Sequence, residues 1–196
     1  MQSEQEKTDL NWCAFKNGSK EAFAEIYRQQ VKDLLTYGYK VTSDRRLIED
    51  SIQDLFFELW KNRSGLSDTT SIRFYLFKAL RFKIMRNAKN KVNDLLHFAE
   101  VLTEGRTEAS HESYLISMEV QSLQMANLKE LISNLPKRQQ EAINLRYYHD
   151  FSNEENAQIM GVNYQSACKC IYSALKSLKL NLQVSITSWL FLIIFL

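Results

Sequence analysis

The stretch from Ser152 to Leu178, SNEENAQIMGVNYQSACKCIYSALKSL, decides how this chain is read. Ser152 and Glu155 have capping-box spacing, in which each side chain bonds the other's backbone N–H, so a helix is expected from Asn153 to Met160. Gly161-Val162-Asn163 then makes a turn, and a second helix begins near Tyr164. On that helix Ala167, Ile171, Ala174, Leu175 and Leu178 face inward, while Gln165, Lys169, Tyr172 and Lys176 recur outward at intervals of four, three and four. Two short helices so joined are the helix-turn-helix arrangement. A carboxamide near the start of the second helix can bond adenine bidentately in a major groove. Lys169 and Lys176 suit phosphates, which fix register without reading sequence. An ordinary helical hairpin shares the cap and the turn, so the reading also leans on what lies upstream.

Upstream, the span from Thr69 to Asn93 holds seven Lys or Arg and no acid. Its apolar positions Ile72, Leu76, Leu80 and Ile84 share one helical face, with Phe77 at the edge, and Phe74, Lys78, Arg81, Phe82, Met85 and Lys89 fall on the other. Cations neutralise phosphates, and exposed rings offer a stacking surface to bases lifted from a duplex. A helix that packs its extra rings on a neighbour has the same spacing. Just before it, Ser64 to Ser71 (SGLSDTTS) is a small polar loop able to hold a flipped base by hydrogen bonds.

A further helix, from about Leu47 to Lys61, buries Ile48, Ile52, Leu55, Phe56 and Leu59. Its opposite face shows Asp50, Gln53, Asp54, Phe57 and Lys61. A large aromatic among charges on an outward face suits a protein interface, in which an aromatic anchor is ringed by polar groups. A solvated face with one stray ring is the plainer alternative. A metal ladder of Asp50, Asp54 and Glu58 for hydrolysis lacks a nearby histidine or a second acid pair. The first helix runs from about Lys20 to Tyr37, with Phe23, Ile26, Tyr27, Leu34 and Leu35 apolar.

Around these elements the composition of the 196 residues is that of packed helices: 45% apolar, 24% charged, one proline and five glycines, with a formal charge of +2. No stretch alternates at the period of a strand. From Asp94 to Ser122 the charge reverses, with six acids against one arginine and weak periodicity. The expected fold is therefore all-α: two small helical domains, 10–92 and 124–182, joined by an acidic linker over 93–123. The second is the helix-turn-helix domain, followed by an apolar tail over 183–196. Cys13, Cys168 and Cys170 form no C-x-x-C pair, and the histidines stand apart, so no zinc site or disulfide framework is expected and a reducing cytoplasm fits. A polar Met1–Asp9 offers no signal peptide. Trp189 to Leu196 is wholly apolar but short of the ~20 residues that span a bilayer. Something should cover such a segment, and a protein contact is favoured over a membrane surface because Lys or Arg is missing after Lys179.

With these residues in place the chain resembles the extracytoplasmic-function sigma factors, of the branch tied to cell-surface signalling. The resemblance spans residues ~10–92 and ~124–180. It is carried by Asp50-Ser-Ile-Gln53-Asp54-Leu-Phe56-Phe57-Glu-Leu-Trp60, by Tyr75-Leu76-Phe77 with the basic run after it, and by Leu135-Pro136-Lys-Arg138-Gln139. Leu145-Arg146-Tyr147-Tyr148 and Met160-Gly161-Val162-Asn163-Tyr164-Gln165-Ser166 extend it, with Ile171-Tyr172 and Ala174-Leu175-Lys176. It implies that the first domain docks on core RNA polymerase through Asp50, Gln53, Asp54, Phe57 and Lys61. It implies that Phe74, Lys78, Arg81, Phe82 and Lys89 bind and melt the proximal promoter element. It implies that Tyr164, Gln165, Ser166, Lys169, Tyr172 and Lys176 bind the upstream one. The implied partners are core polymerase, promoter DNA and an anti-sigma factor, with no catalytic residue, metal, cofactor or small-molecule substrate. Four features depart from the family pattern: Phe82 for an asparagine, Asn156 for an apolar residue, Cys168 and Ser173 for arginines, and the tail. Asn156 is expected in the small core, where an unpartnered amide costs on the order of 1–3 kcal/mol. The competing reading is a helix-turn-helix regulator that acts without polymerase, and the face around Gln53 and Phe57 argues against it.

Overall fold

The computed structural model describes the backbone of residues 11–67, 69, 71–99 and 128–194, and side chains over 11–67, 69, 71–90 and 128–181. Met1–Asp9, the acidic stretch beyond Ala99 and the side chains of the apolar tail lie outside the described residues. Every regular element among the described residues is helical. The chain divides into two compact units, residues 1–109 and 110–196.

In the first unit a short helix α1 (residues 11–16) precedes α2 (Lys20–Val41), α3 (Arg45–Lys61) and α4 (Ile72–Ala99). The start of each of the three long helices is set by a side chain that accepts an otherwise orphan backbone N–H. Ser19 Oγ accepts from Ala22 N, Asp44 Oδ1 from Leu47 N and Ser71 Oγ from Phe74 N, at 3.0–3.1 Å. The three long helices pack on one another through fully buried Leu34, Tyr37, Ile48, Leu76, Phe77, Leu80 and Ile84. Gly38 permits the crossing of α2 with α3, since a Cβ there would stand 2.5 Å from Ile48 Cγ2. Arg73 pairs with Asp33 at 3.1 Å, tying the start of α4 to α2. Phe15 of α1 stacks on Phe23 at 5.6 Å, and Phe23 meets Trp60 at 5.1 Å, closing the end of the bundle with rings.

The second unit has a helical stretch (residues 128–133, α5), α6 (Lys137–Ile143) continuing into a π-helical turn (Asn144–Tyr148), α7 (Asn153–Met160) and α8 (Tyr164–Ile194). Leu135, Ile143, Ala174 and Leu178 form a core cluster, with Leu131 and Ile132 against it. The buried Gln140 holds the turn before α6, its Nε2 donating to both Ser133 O and Leu135 O at 2.8 Å.

Several expectations are revised. Phe77 is core rather than edge, because α2 supplies Tyr37 at 4.9 Å to cover it. Tyr27 is 41% exposed, lying edge-on to Phe56. Leu175, expected inward, is 41% exposed: α6 and α7 cover only the strip of α8 that carries Ala167, Ile171, Ala174 and Leu178. Helix α4 runs six residues past Asn93, so the acidic stretch begins inside a helix, and α8 carries the backbone of the tail on to Ile194 without a break. Among the described residues no helix is long and apolar enough to cross a membrane.

Candidate nucleic-acid and protein interfaces

On α3, burial of Ile48, Ile52, Leu55, Phe56 and Leu59 turns Asp50, Gln53, Asp54, Phe57 and Lys61 outward together, all exposed. Phe57 is 68% exposed, an apolar ring on the face that carries Gln53, Asp54 and Lys61. Asp54 Oδ2 accepts a long hydrogen bond from Asn87 Nδ2 at 3.5 Å, and the same amide reaches Ser51 Oγ at 3.3 Å, so α4 braces the edge of this face.

On α4, Lys78, Phe82 and Lys89 are exposed, whereas Phe74 and Arg81 are half-buried. Lys78 Nζ lies 5.6 Å from the centre of the Phe74 ring, a cation–π contact that sets cation and ring side by side. Phe82 is 66% and Met85 52% exposed. The polar loop begins with a 3-10 turn, Arg63–Gly65, with the Arg63 guanidinium over Trp60 at 4.5 Å and bonded to Trp60 O.

Between the end of α3, this loop and α4 lies an open pocket of about 140 Å³. Leu55, Leu59, Leu66 and Ala79 give apolar walls and Phe82 stands among the lining residues. One ion pair crosses it: Lys83 Nζ to Glu58 Oε1 at 2.7 Å, with the lysine side chain 7% and the glutamate 49% exposed. The bond from Lys83 holds the Glu58 carboxyl below its ordinary range, and the charges of Lys83, Arg86 and Lys61 add to this. Burial raises the Tyr75 phenol, with the Glu58 charge a second cause. The pair was not singled out from the sequence, yet a signal exists. Lys83 falls seven residues after Leu76 and three after Leu80, on the apolar stripe of α4.

In the second unit the capping box is complete: Ser152 Oγ accepts from Glu155 N at 3.1 Å and Glu155 Oε2 from Ser152 N at 2.8 Å. Gly161 ends α7 in the left-handed region (φ 63°), where a glycine pays no steric penalty. Asn163 Oδ1 then caps α8 by accepting from Ser166 N at 2.8 Å. With that geometry Tyr164, Gln165, Ser166, Lys169, Tyr172 and Lys176 are all exposed. The Tyr164 hydroxyl bonds the Cys168 thiol, which raises the phenol, and bonds Asn153 across the turn. Asn156 is fully buried, and its Nδ2 donates to Ala142 O at 2.9 Å, so half of the expected penalty is met. Its Oδ1 has no partner among the described residues. Among the described residues no three His, Cys, Asp or Glu side chains are grouped as a metal would need.

A helix-turn-helix unit that follows a basic, ring-bearing helix along the chain offers two surfaces suited to nucleic acid. Residues 125–178 match the family described as sigma-70, region 4. Over 170 residues the chain is 23% identical to RNA polymerase sigma factor YlaC of Bacillus subtilis (strain 168), covering 85% of this chain and 95% of that protein. Its fold is similar to that of the sigma factor RpoE solved with the anti-sigma factor NepR from Bartonella quintana (TM-score 0.59, 22% identity, 83% of this chain and 97% of that one). It is also similar to CnrH solved with the cytosolic domain of CnrY (TM-score 0.56, 17% identity, 90% and 97%). Residues 125–178 thus form a sigma-70 region 4 domain, and over most of its length the chain is similar to an RNA polymerase sigma factor.

Proposed function

We propose that this alternative sigma factor divides its work over three surfaces, the first being the exposed face of α3. Asp50, Gln53, Asp54, Phe57 and Lys61 dock on core RNA polymerase, with Phe57 as the anchor. The observation that carries this assignment is the exposure of Phe57, 68%, in the midst of charged and amide groups. Along α4, Phe74, Lys78, Arg81, Phe82 and Lys89 receive the proximal promoter element as its strands part. One lifted base enters the pocket beside the polar loop. Across α8, Tyr164, Gln165, Ser166, Lys169, Tyr172 and Lys176 lie on the upstream element. Residues 10–92 and 124–182 serve as the two working domains, with 93–123 between them. Phosphodiester formation stays with the polymerase, so no catalytic residue belongs to this chain. The site of action is the cytoplasm, where chromosome and polymerase are, and an anti-sigma factor is the expected restraint, as in the complex of RpoE with NepR.

Co-purification with core polymerase, followed by run-off transcription on genomic fragments, tests the reading. Phe57→Ala is expected to weaken loading by roughly 30-fold, the equivalent of ~2 kcal/mol at an interface centre, with helix content unchanged. Undiminished loading of both Phe57→Ala and Gln53→Ala overturns the α3 assignment.

A further inference from the structure

The pocket at the end of α3 holds more chemistry than a base-sized recess needs. Its volume, about 140 Å³, is well below the roughly 300–1,000 Å³ of sites for whole small molecules and suits one ring system. Leucine and alanine walls with the Phe82 ring can enclose the faces of a planar base. Hydrophobic walls do not tell one base from another; edge hydrogen bonds do. The resemblance places an asparagine where Phe82 stands, so that position presents a ring and no amide. Asn62, Tyr75 and Arg86 also line the pocket, and among its polar groups Glu58 and Lys83 are held against each other, one oxygen of the carboxylate being 2.7 Å from the ammonium.

We propose that Glu58 and Lys83 are the specificity-determining residues of this pocket and select guanine as the lifted base. The inference rests on the proposed entry of one base here. A carboxylate accepts two neighbouring donors, and an ammonium with three protons has two left after bonding Glu58. Guanine alone among the four bases carries two adjacent donors, N1–H and N2–H, beside an acceptor, O6. Its edge therefore gives both donors to Glu58 and takes one from Lys83. Adenine and cytosine offer one donor and an acceptor, and thymine one donor between two acceptors, so each leaves part of the pair unanswered. The bond from Lys83, with the charges of Arg86 and Lys61, lowers the Glu58 carboxyl and so favours its accepting form. The pair is worth little on the half-exposed side of Glu58 until a base covers it, so the contact gains strength on entry.

Run-off transcription by core polymerase carrying the full chain, on a promoter library randomised across the melted element, reads this directly. One position should favour guanine roughly ten-fold over each other base. Inosine at that position, which lacks the N2 amine, should lower output several-fold. Glu58→Gln should move the preference toward adenine, which a carboxamide pairs bidentately, with preferences at other positions unchanged. Lys83→Arg, which restores a donor and the pair, should keep the guanine preference and guards against misreading a folding defect. A preference for another base, or a guanine preference that Glu58→Gln leaves intact, overturns the Glu58–Lys83 assignment alone. Active transcription with no base preference at any melted position overturns the entry of a base into the pocket as well.

Discussion

Gln165 and Lys176 share the exposed face of α8, and the proposed function gives them different roles. The carboxamide, one residue into the helix, is assigned to base edges, and the ammonium three turns further on to the backbone of the duplex. Gln165→Ala should relax base preference at one position of the upstream element. Lys176→Ala should weaken every sequence alike and reduce the slope of log affinity against log salt by about 1. Selected-site profiles and a salt titration of the two variants check this, and identical behaviour sinks the division of labour. Glu58 carries a pH prediction of its own. Its folded pKa is depressed, so the stability it brings through Lys83 is present above the unfolded carboxylate pKa. It is lost as pH falls through the lower folded value. Wild type and Glu58→Gln should therefore differ in thermal midpoint at neutral pH and converge in acid, and a gap that persists there speaks against the pair.

At the scale of elements, several helix starts are set by a side chain, the entry to α7 among them. Removing the Ser152 hydroxyl leaves Glu155 N without its partner at a half-buried site. Ser152→Ala should cost about 1 kcal/mol of unit stability and loosen the turn that aims α8. A melt and an upstream-element binding curve measure the two effects, and no change in either removes the cap from the account. The crossing of α2 with α3 depends on an absence of side chain. Gly38→Ala drives a methyl group against Ile48, where the neighbour is a core side chain with little room to give. The expected loss is about 1–3 kcal/mol, read from denaturant midpoints.

At the scale of the molecule, the proposed docking, melting and upstream-recognition surfaces lie on different helices, so their defects should separate. Phe82→Ala should slow strand opening, seen as lost permanganate reactivity of unpaired thymines, while polymerase loading and closed-complex binding persist. The ring is 66% exposed, so its loss should leave the melt of the first unit nearly unchanged, and a large destabilisation instead assigns it to packing.

Helix positions, caps and the turn at Gly161 were legible in the amino-acid order because they depend on neighbours within four residues. So were the outward faces of α3 and α8: a stripe of Ile, Leu and Phe at helical spacing determines which residues oppose it. Burial of the flanking positions was not legible, since it depends on which helix arrives from a distance. Tyr37 covers Phe77, while no part of α6 or α7 covers Leu175. Asn156 looked unpaired in sequence because its partner, Ala142 O, is 14 residues away. Lys83 and Glu58 are 25 positions apart and read as solvated charges until α3 and α4 cross. Periodicity settles what a helix shows and hides along its own axis. Only the tertiary structure brings a lysine on an apolar stripe to a carboxylate of another helix, because attraction to an opposite charge offsets part of the cost of taking a charge out of water.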